Sequence, residues 1–531
     1  MKKFSFIAII MLAVSFTAGA QGMEDALRYS QQYYVGSART MAMGNAFTAL
    51  GGDLGAIGIN PASTAIYNCC EFAITGGLTW NNTTSLLEAS EDNYTTRTTR
   101  TKFTLPNISA VFSLPTGREY GLVSYSFGFG YNKTNDFNSR VSFGGLDGVS
   151  SLLGNIAAGL EGFDNSNLLA VNAFANDNTY CTPQEVLAWN AYLVNPYNGF
   201  SDSYIGANEN QWEGGLGVDN PLNKSYDLIT GGGAYDIAFN FGMNFNDRLY
   251  MGANLNVKVI DFEKSLWYSE KAQDGDWYDT GFKSMDYNFW QKTSGSGINL
   301  QLGAIYVPFD FLRLGISYTT PTLYTLTDRW DEYMASKFDG SVPDYKDSEI
   351  YFSDLYAEET ETQSSDFFYE YDLRAPSRLS LGAAFVFGRA GLLSADVETV
   401  NYGKMRLSET DRYSDYFDGT NADIAKYCPR GTIVRVGGEM NAIGDISLRA
   451  GYTGYFYNQP GYQFLSFGIG KRITENSSLD LGFRTSLKDK YDMLPYDDYA
   501  FNEAGEAQCT APLAKISSRF NTLLLTYRVK F

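Results

Sequence analysis

From Glu71 to Phe531 the chain is a succession of runs in which apolar residues alternate with polar or small ones, and a period of two is the signature of a β-strand with two different faces. One run sets Val123, Tyr125, Phe127, Phe129 and Tyr131 against Ser124, Ser126, Gly128 and Gly130. Another sets Tyr235, Ile237, Phe239, Phe241 and Met243 against Asp236, Ala238, Asn240, Gly242 and Asn244. Fourteen such strands can be placed, near 71–80, 102–114, 121–132, 235–244, 249–259, 298–306, 312–318, 379–387, 393–397, 432–440, 445–456, 463–471, 478–486 and 519–531. Past the first twenty residues no stretch approaches the 18 or so apolar residues of a membrane helix, so the alternation is the only apolar signal of membrane-spanning length. With 39 Tyr, 36 Phe and 53 Gly against 14 Pro, the composition suits an all-β, fourteen-stranded antiparallel transmembrane barrel with aromatic girdles.

Connections alternate between tight turns, near 115, 247, 309, 388, 443 and 475, and longer loops, as periplasmic turns and extracellular loops do. An even strand count leaves both ends on the periplasmic side. Lys2 and Lys3, the apolar run Phe4 to Phe16 and the small-residue site Ala18-Gly19-Ala20 read as an export signal over residues 1–20, cleaved before Gln21. Losing its two lysines takes the formal charge from -20 to -22, a sign that disfavours nucleic acid as a partner. The barrel occupies 69–531, with long loops expected at about 136–231 and 328–372.

Ahead of the first strand, Gly36 to Tyr67 is rich in Gly, Ala and small polar residues and shows neither a helical stripe nor strand alternation. Gly44, Gly51 and Gly52 allow tight turning, and such a segment buries no core of its own, so residues 21–68 are expected inside the barrel as a hatch. Gly36-Ser37-Ala38-Arg39, Met43-Gly44, Ala46-Phe47-Thr48-Ala49 and Asn60-Pro61-Ala62 together resemble the hatch of FadL-type outer-membrane proteins, the TodX-like hydrophobic-compound transporters. The resemblance implies a monomeric outer-membrane channel, recognised by the barrel assembly machinery through its final aromatic. It implies passive uptake of a hydrophobic small molecule, a long-chain fatty acid or an aromatic hydrocarbon, with Asn60, Pro61 and Ala62 closing the gate and no cofactor or metal. The alternative is a barrel of the same kind that serves as an interaction platform and transports nothing; unusually long outer loops favour it.

The long loop at 136–231 carries two helical stripes, Leu146, Val149, Leu152, Leu153, Ile156 and Leu160, then Val186, Trp189, Tyr192 and Leu193 behind the capping box Thr182-Pro183-Gln184-Glu185. They are expected to pack as a lid, and Leu152, Ile156, Trp189, Tyr192 and Leu193 could also offer a capture groove. Inward positions of the later strands hold Asp396, Glu398, Arg435, Glu439, Arg449, Asp480, Arg484, Arg528 and Lys530, opposite charges able to bracket the hatch. The acidic loop at 328–372 has no spaced calcium pattern and reads as a solvated face. Of five cysteines, Cys69 and Cys70 are adjacent, and a disulfide is expected within Cys181, Cys428 and Cys509. The chain has no histidine, which excludes Ser-His-Asp and Cys-His catalysis.

Overall fold

The computed structural model describes residues 22–88, 95–169, 181–212, 215–217, 221–273, 278–355, 367–409, 416–442, 445–457, 460–487, 489–501 and 507–531; the export signal expected at 1–20 lies outside them. Fourteen antiparallel strands close into a barrel. They are β1 (Glu71–Glu88), β2 (Thr95–Pro115), β3 (Leu122–Asp136 and Ser139–Asp147), β4 (Leu222–Phe245), β5 (Leu249–Ala272) and β6 (Phe282–Phe309). Next come β7 (Leu312–Thr319 and Thr322–Phe338), β8 (Phe367–Ala375 and Arg378–Val386), β9 (Gly391–Asn401 and Arg406–Glu409) and β10 (Arg430–Asn441). β11 (Ile446–Phe456), β12 (Pro460–Arg472), β13 (Ser477–Ser486 and Asp489–Met493) and β14 (Leu513–Lys530) complete the wall. β14 pairs with β1 from Glu71↔Lys530 to Glu88↔Leu513, which removes both sheet edges. Pro321 and Pro376, which have no N–H to give a ladder, fall where β7 and β8 are interrupted.

Each strand found by alternation is present, but several run much further outward than the pattern indicated. β1 does not stop at 80; Gly76-Gly77 only marks a bulge opposite Thr104 to Asn107. β4 begins at Leu222 and β3 reaches Asp147, so the loop between them spans 148–221 rather than 136–231; likewise β7 reaches Phe338. Outside the barrel Phe103, Phe127, Phe239, Leu255, Ile298, Leu302, Leu381 and Phe467 are all exposed, a lipid-facing belt that only a hydrocarbon surround makes favourable.

The outer loops form a lid with its own core. α3 (Leu152–Gly159) and α4 (Pro183–Asn190) bury Leu152, Leu153, Ile156, Val186, Leu187 and Leu193 against one another. The capping box at Thr182 is made in full, Thr182 N–H donating to Glu185 Oε2 at 2.6 Å and Glu185 N–H to Thr182 Oγ1 at 3.3 Å. Leu146 belongs to β3 and Val149 is exposed, so the first helix starts later than its apolar stripe. Glu270, at the outer end of β5, accepts from Ser151 Oγ (2.8 Å), Leu152 N–H (2.9 Å), Asn208 Nδ2 (2.8 Å) and Tyr268 OH (2.6 Å), which ties the lid to the wall.

Candidate functional site

Residues 22–67 lie against the inner wall. α1 (Met23–Ser30) is followed by the extended Tyr33–Val35, by α2 (Ala38–Ala42) and by short 3-10 turns at Leu54–Ala56 and Pro61–Ile66. Almost every residue from Tyr34 to Ala65 is buried, although the segment has few large apolar side chains. Close approach explains this. β4, β5 and β6 bring Gly242, Gly252 and Gly303 side by side, and Gly315 pairs with Gly382, Gly437 with Gly451 and Gly468 with Gly482. A Cβ on Gly252 would overlap the Pro61 carbonyl, one on Gly303 the Asn60 amide, one on Gly437 the Met43 carbonyl, and one on Gly482 would stand 2.6 Å from Ala38 O. The wall is therefore glycine where the segment's backbone rests on it.

Polar contacts fix the seat. Fully buried Asn60 caps the 3-10 turn by accepting from Ala62 N–H (3.0 Å), and its Nδ2 donates to Thr48 O (2.6 Å) and lies 3.3 Å from both Ala304 O and Ile316 O on β6 and β7. Pro61 occupies the first helical position, and its carbonyl accepts from Asn240 Nδ2 at 2.9 Å. Ala62 packs near Tyr250, Ile305 and Val307. Gly44, Gly51 and Gly52 have φ of 61°, 63° and 68°, a region other side chains rarely occupy.

Charged side chains on the wall complete the hold. Arg39 forks onto Glu439 (2.8 and 3.1 Å); Arg449 joins Glu439 (2.6 Å) to Asp480 (2.5 Å), and Arg528 binds Asp480 at 2.7 Å. Arg435 and Arg378 share Glu398, each at 2.7 Å, and Arg378 also donates to Ser30 O at 2.6 Å. Thus Glu439 meets the inner segment directly, while Arg435 steadies it through Glu398 and Arg378.

Among the described residues the wall has one long break in its ladder. β2 and β3 pair only from Asn107↔Asn132 to Pro115↔Ser124, whereas β2 continues outward to Thr95 paired with β1 alone. Pro106, lacking a donor, stands where the β2–β3 ladder stops, and β3 shifts register between Lys133 and Asn135. The freed edge of β3 is taken by the inner segment: Tyr33 N–H donates to Thr134 O (2.7 Å) and Val35 N–H to Lys133 O (3.3 Å). The segment and the edge of this break are thus hydrogen-bonded to each other.

Beside the break is a cavity of about 230 Å³. Tyr33, Phe262, Tyr462, Phe464 and Phe520 supply apolar walls, and Arg28, Arg100, Lys133 and Arg484 supply cations. Two of these are already matched, Arg28 by Asp25 and Lys133 by Asp136. Arg484 is 8% exposed, stacks 4.7 Å over Phe464, donates to Tyr34 O at 3.0 Å and has no partner for Nε among the described residues. Arg100 reaches only Ser139 O, at 3.2 Å, among its described partners.

Of the residues singled out from sequence, Asn60, Pro61, Ala62, Gly44 and Glu439 meet at this seat and Arg484 lines the cavity. The capture groove is not formed, since Leu152, Ile156 and Leu193 are spent in the lid core; Trp189 is half-buried beside them and Tyr192 leaves the helix at φ 59°. The expected disulfide is not made either. All five cysteines are free, with Cys428 in a cluster around Tyr402 while Cys181 and Cys509 belong to the lid. Sequence reasoning missed the glycine seat, Pro106 and the aromatic cavity wall. One inward glycine in the middle of nearly every strand from β4 to β13 was the visible signal.

No family profile matches the chain, and no curated protein does. Among solved structures it is similar to the Pseudomonas putida toluene transporter TodX, at 15% identity and a TM-score of 0.48 over 94% of this chain and 99% of that one. A Pseudomonas aeruginosa FadL homologue is similar at 11% identity and a TM-score of 0.49 over 94% and 98% of the two chains. The Ralstonia pickettii toluene transporter TbuX gives 13% and 0.44 over 95% and 100%. Likenesses this slight carry no inference about function.

Proposed function

We propose that the protein is an outer-membrane channel for passive uptake of small hydrophobic compounds, gated by the inner segment 22–67. Support comes above all from the cavity, which adjoins both that segment and a break in the barrel ladder. An apolar compound held there lies next to an unpaired stretch of wall, so it can leave sideways into hydrocarbon without crossing water. The inner segment fills the lumen toward the periplasm, and its bonds to Lys133 and Thr134 let its displacement widen the break.

Within this reading the cavity favours an amphipathic acid over a neutral hydrocarbon. Arg484 and Arg100 have no carboxylate within ion-pairing distance among the described residues, and a buried guanidinium with an unused donor is satisfied by an incoming carboxylate. The aromatic wall accommodates the chain behind it. The test is binding of a long-chain fatty acid brominated at its tail, located by anomalous diffraction. Bromine density against Tyr33, Phe464 and Phe520, with affinity lowered about tenfold or more in Arg484→Ala, is expected. Density elsewhere in the lumen, or unchanged affinity in a folded variant, refutes it.

A further inference from the structure

A second binding surface lies on the outside of the barrel, where three cations stand in one place on a chain of net charge -20. Strand register puts them together. Thr84 on β1 pairs with Arg97 on β2 and with Ser517 on β14, and Ser517 pairs in turn with Lys490 on β13. Asn82, two residues nearer the membrane centre, pairs with Thr99 and with Arg519. Directly opposed residues share a face of a sheet, and Arg97, Arg519 and Lys490 are all exposed. Among the described residues none of the three has a carboxylate within ion-pairing distance. The acids of this face, Glu88 and Asp492, stand further out beside Lys515, which binds Glu88 at 2.5 Å.

Immediately below the cations the same face turns apolar. Trp80 pairs with Thr101, and Leu78 pairs with Phe103 and Leu523, Phe103 being 72% exposed. Hydroxyl and amide groups of Thr84, Ser517, Thr99 and Asn82 fill the step between. Four strands at about 4.8 Å spacing set Lys490 and Arg97 roughly 14 Å apart, too wide for one small anion and suited to a headgroup that carries more than one. Cations just above an apolar belt, with donors between them, match a lipid whose anionic head sits at the interface and whose chains run down the wall.

We propose that the outer face of β13, β14, β1 and β2 docks a phosphorylated lipid of the outer leaflet, with Arg97, Arg519 and Lys490 on its phosphates and Leu78, Phe103 and Leu523 against its acyl chains. The proposal rests on the chain being an outer-membrane barrel whose long loops face outward. The face adjoins the ladder break, so the docked lipid borders the lateral path.

The test uses the full chain in detergent micelles, titrated with bisphosphorylated lipid A or with the same lipid stripped of its phosphates, and reads retained lipid by native mass spectrometry. Wild type should retain the phosphorylated form at least tenfold better. An Arg97→Gln/Arg519→Gln variant should lose that preference, while Arg472→Gln, near the periplasmic turn after β12, keeps it. Heat-modifiable gel mobility reports that each barrel is folded. Equal retention of the two lipids by wild type, an undiminished preference in the double variant, or displacement of the lipid by millimolar inorganic phosphate would overturn the proposal. Fatty-acid uptake into vesicles lacking phosphorylated lipid should be the same for the double variant and wild type, so failure of lipid docking and failure of transport are separate results.

Discussion

Replacing Asn60 by Ala should loosen the inner segment while leaving the barrel intact. The side chain is fully buried, and its removal strands the Thr48 carbonyl and the Ala62 N–H, whose bonds to it measure 2.6 and 3.0 Å. Each buried group left unsatisfied costs about 1–3 kcal/mol, so with two of them seating should weaken by roughly 2–6 kcal/mol. If the closed arrangement is favoured by a few kcal/mol, the displaced population rises on the order of 30-fold or more. Pro61→Ala makes the contrast. Pro61 donates nothing, and the carbonyl that accepts from Asn240 survives the change, so the cost should stay near or below about 1 kcal/mol. Both variants would be compared with wild type in vesicles for uptake of a fatty acid and of a neutral aromatic hydrocarbon. Limited proteolysis near Gly51 would report seating, and heat-modifiable mobility the barrel. Faster uptake and faster cleavage in Asn60→Ala, with Pro61→Ala close to wild type, is the expected pattern. A folded Asn60→Ala protein with uptake and cleavage unchanged refutes the role given to Asn60.

Gly252→Ala should push the Pro61 carbonyl off the wall at about 1–3 kcal/mol and raise proteolysis of the inner segment, with no loss of heat-modifiable mobility. Thr182→Ala removes the cap of α4 and should cost about 1 kcal/mol locally, seen as faster hydrogen exchange over 183–190 with uptake unaffected. Burial pushes the Glu209 carboxyl in the lid from 4.5 up to about 7, so the folded lid holds a proton that the unfolded loop releases. Its stability should be greatest below about pH 4.5 and fall by roughly 3 kcal/mol as pH rises through 7, with protection over 152–159 lower at pH 8 than at pH 5 and the difference largely abolished in Glu209→Gln.

Alternation revealed every barrel strand because the lipid belt forces apolar residues outward at every second position. It failed at the outer ends for the same reason. Above the belt both faces are wet or packed under the lid, so a run such as Thr95 to Lys102 carries no apolar contrast, and the true lengths of β2 and β4 were hidden. The capping box at Thr182 is a local motif and could be read directly, whereas the groove over Leu152 and Leu193 failed because periodicity does not tell a buried stripe from an open one. Asn60 could be found only through the resemblance of Asn60-Pro61-Ala62 to a known hatch motif, since an Asn before Pro is by itself an ordinary turn. Gly252, Gly303 and Gly437 were equally visible, but only strand register shows that they form one seat. The cavity draws Tyr33, Phe262, Arg484 and Phe520 from distant parts of the chain, and no spacing rule joins them.

Flux through vesicles holding the purified full chain, with no energy source, tests the channel most directly. A long-chain fatty acid should reach an enclosed fluorescent acceptor faster than in vesicles without protein, down its gradient and more slowly in Arg484→Ala. If wild type, folded by gel mobility, and protein-free vesicles give the same rate for both the acid and a neutral aromatic hydrocarbon, the channel account is contradicted and the barrel is better understood as an interaction platform.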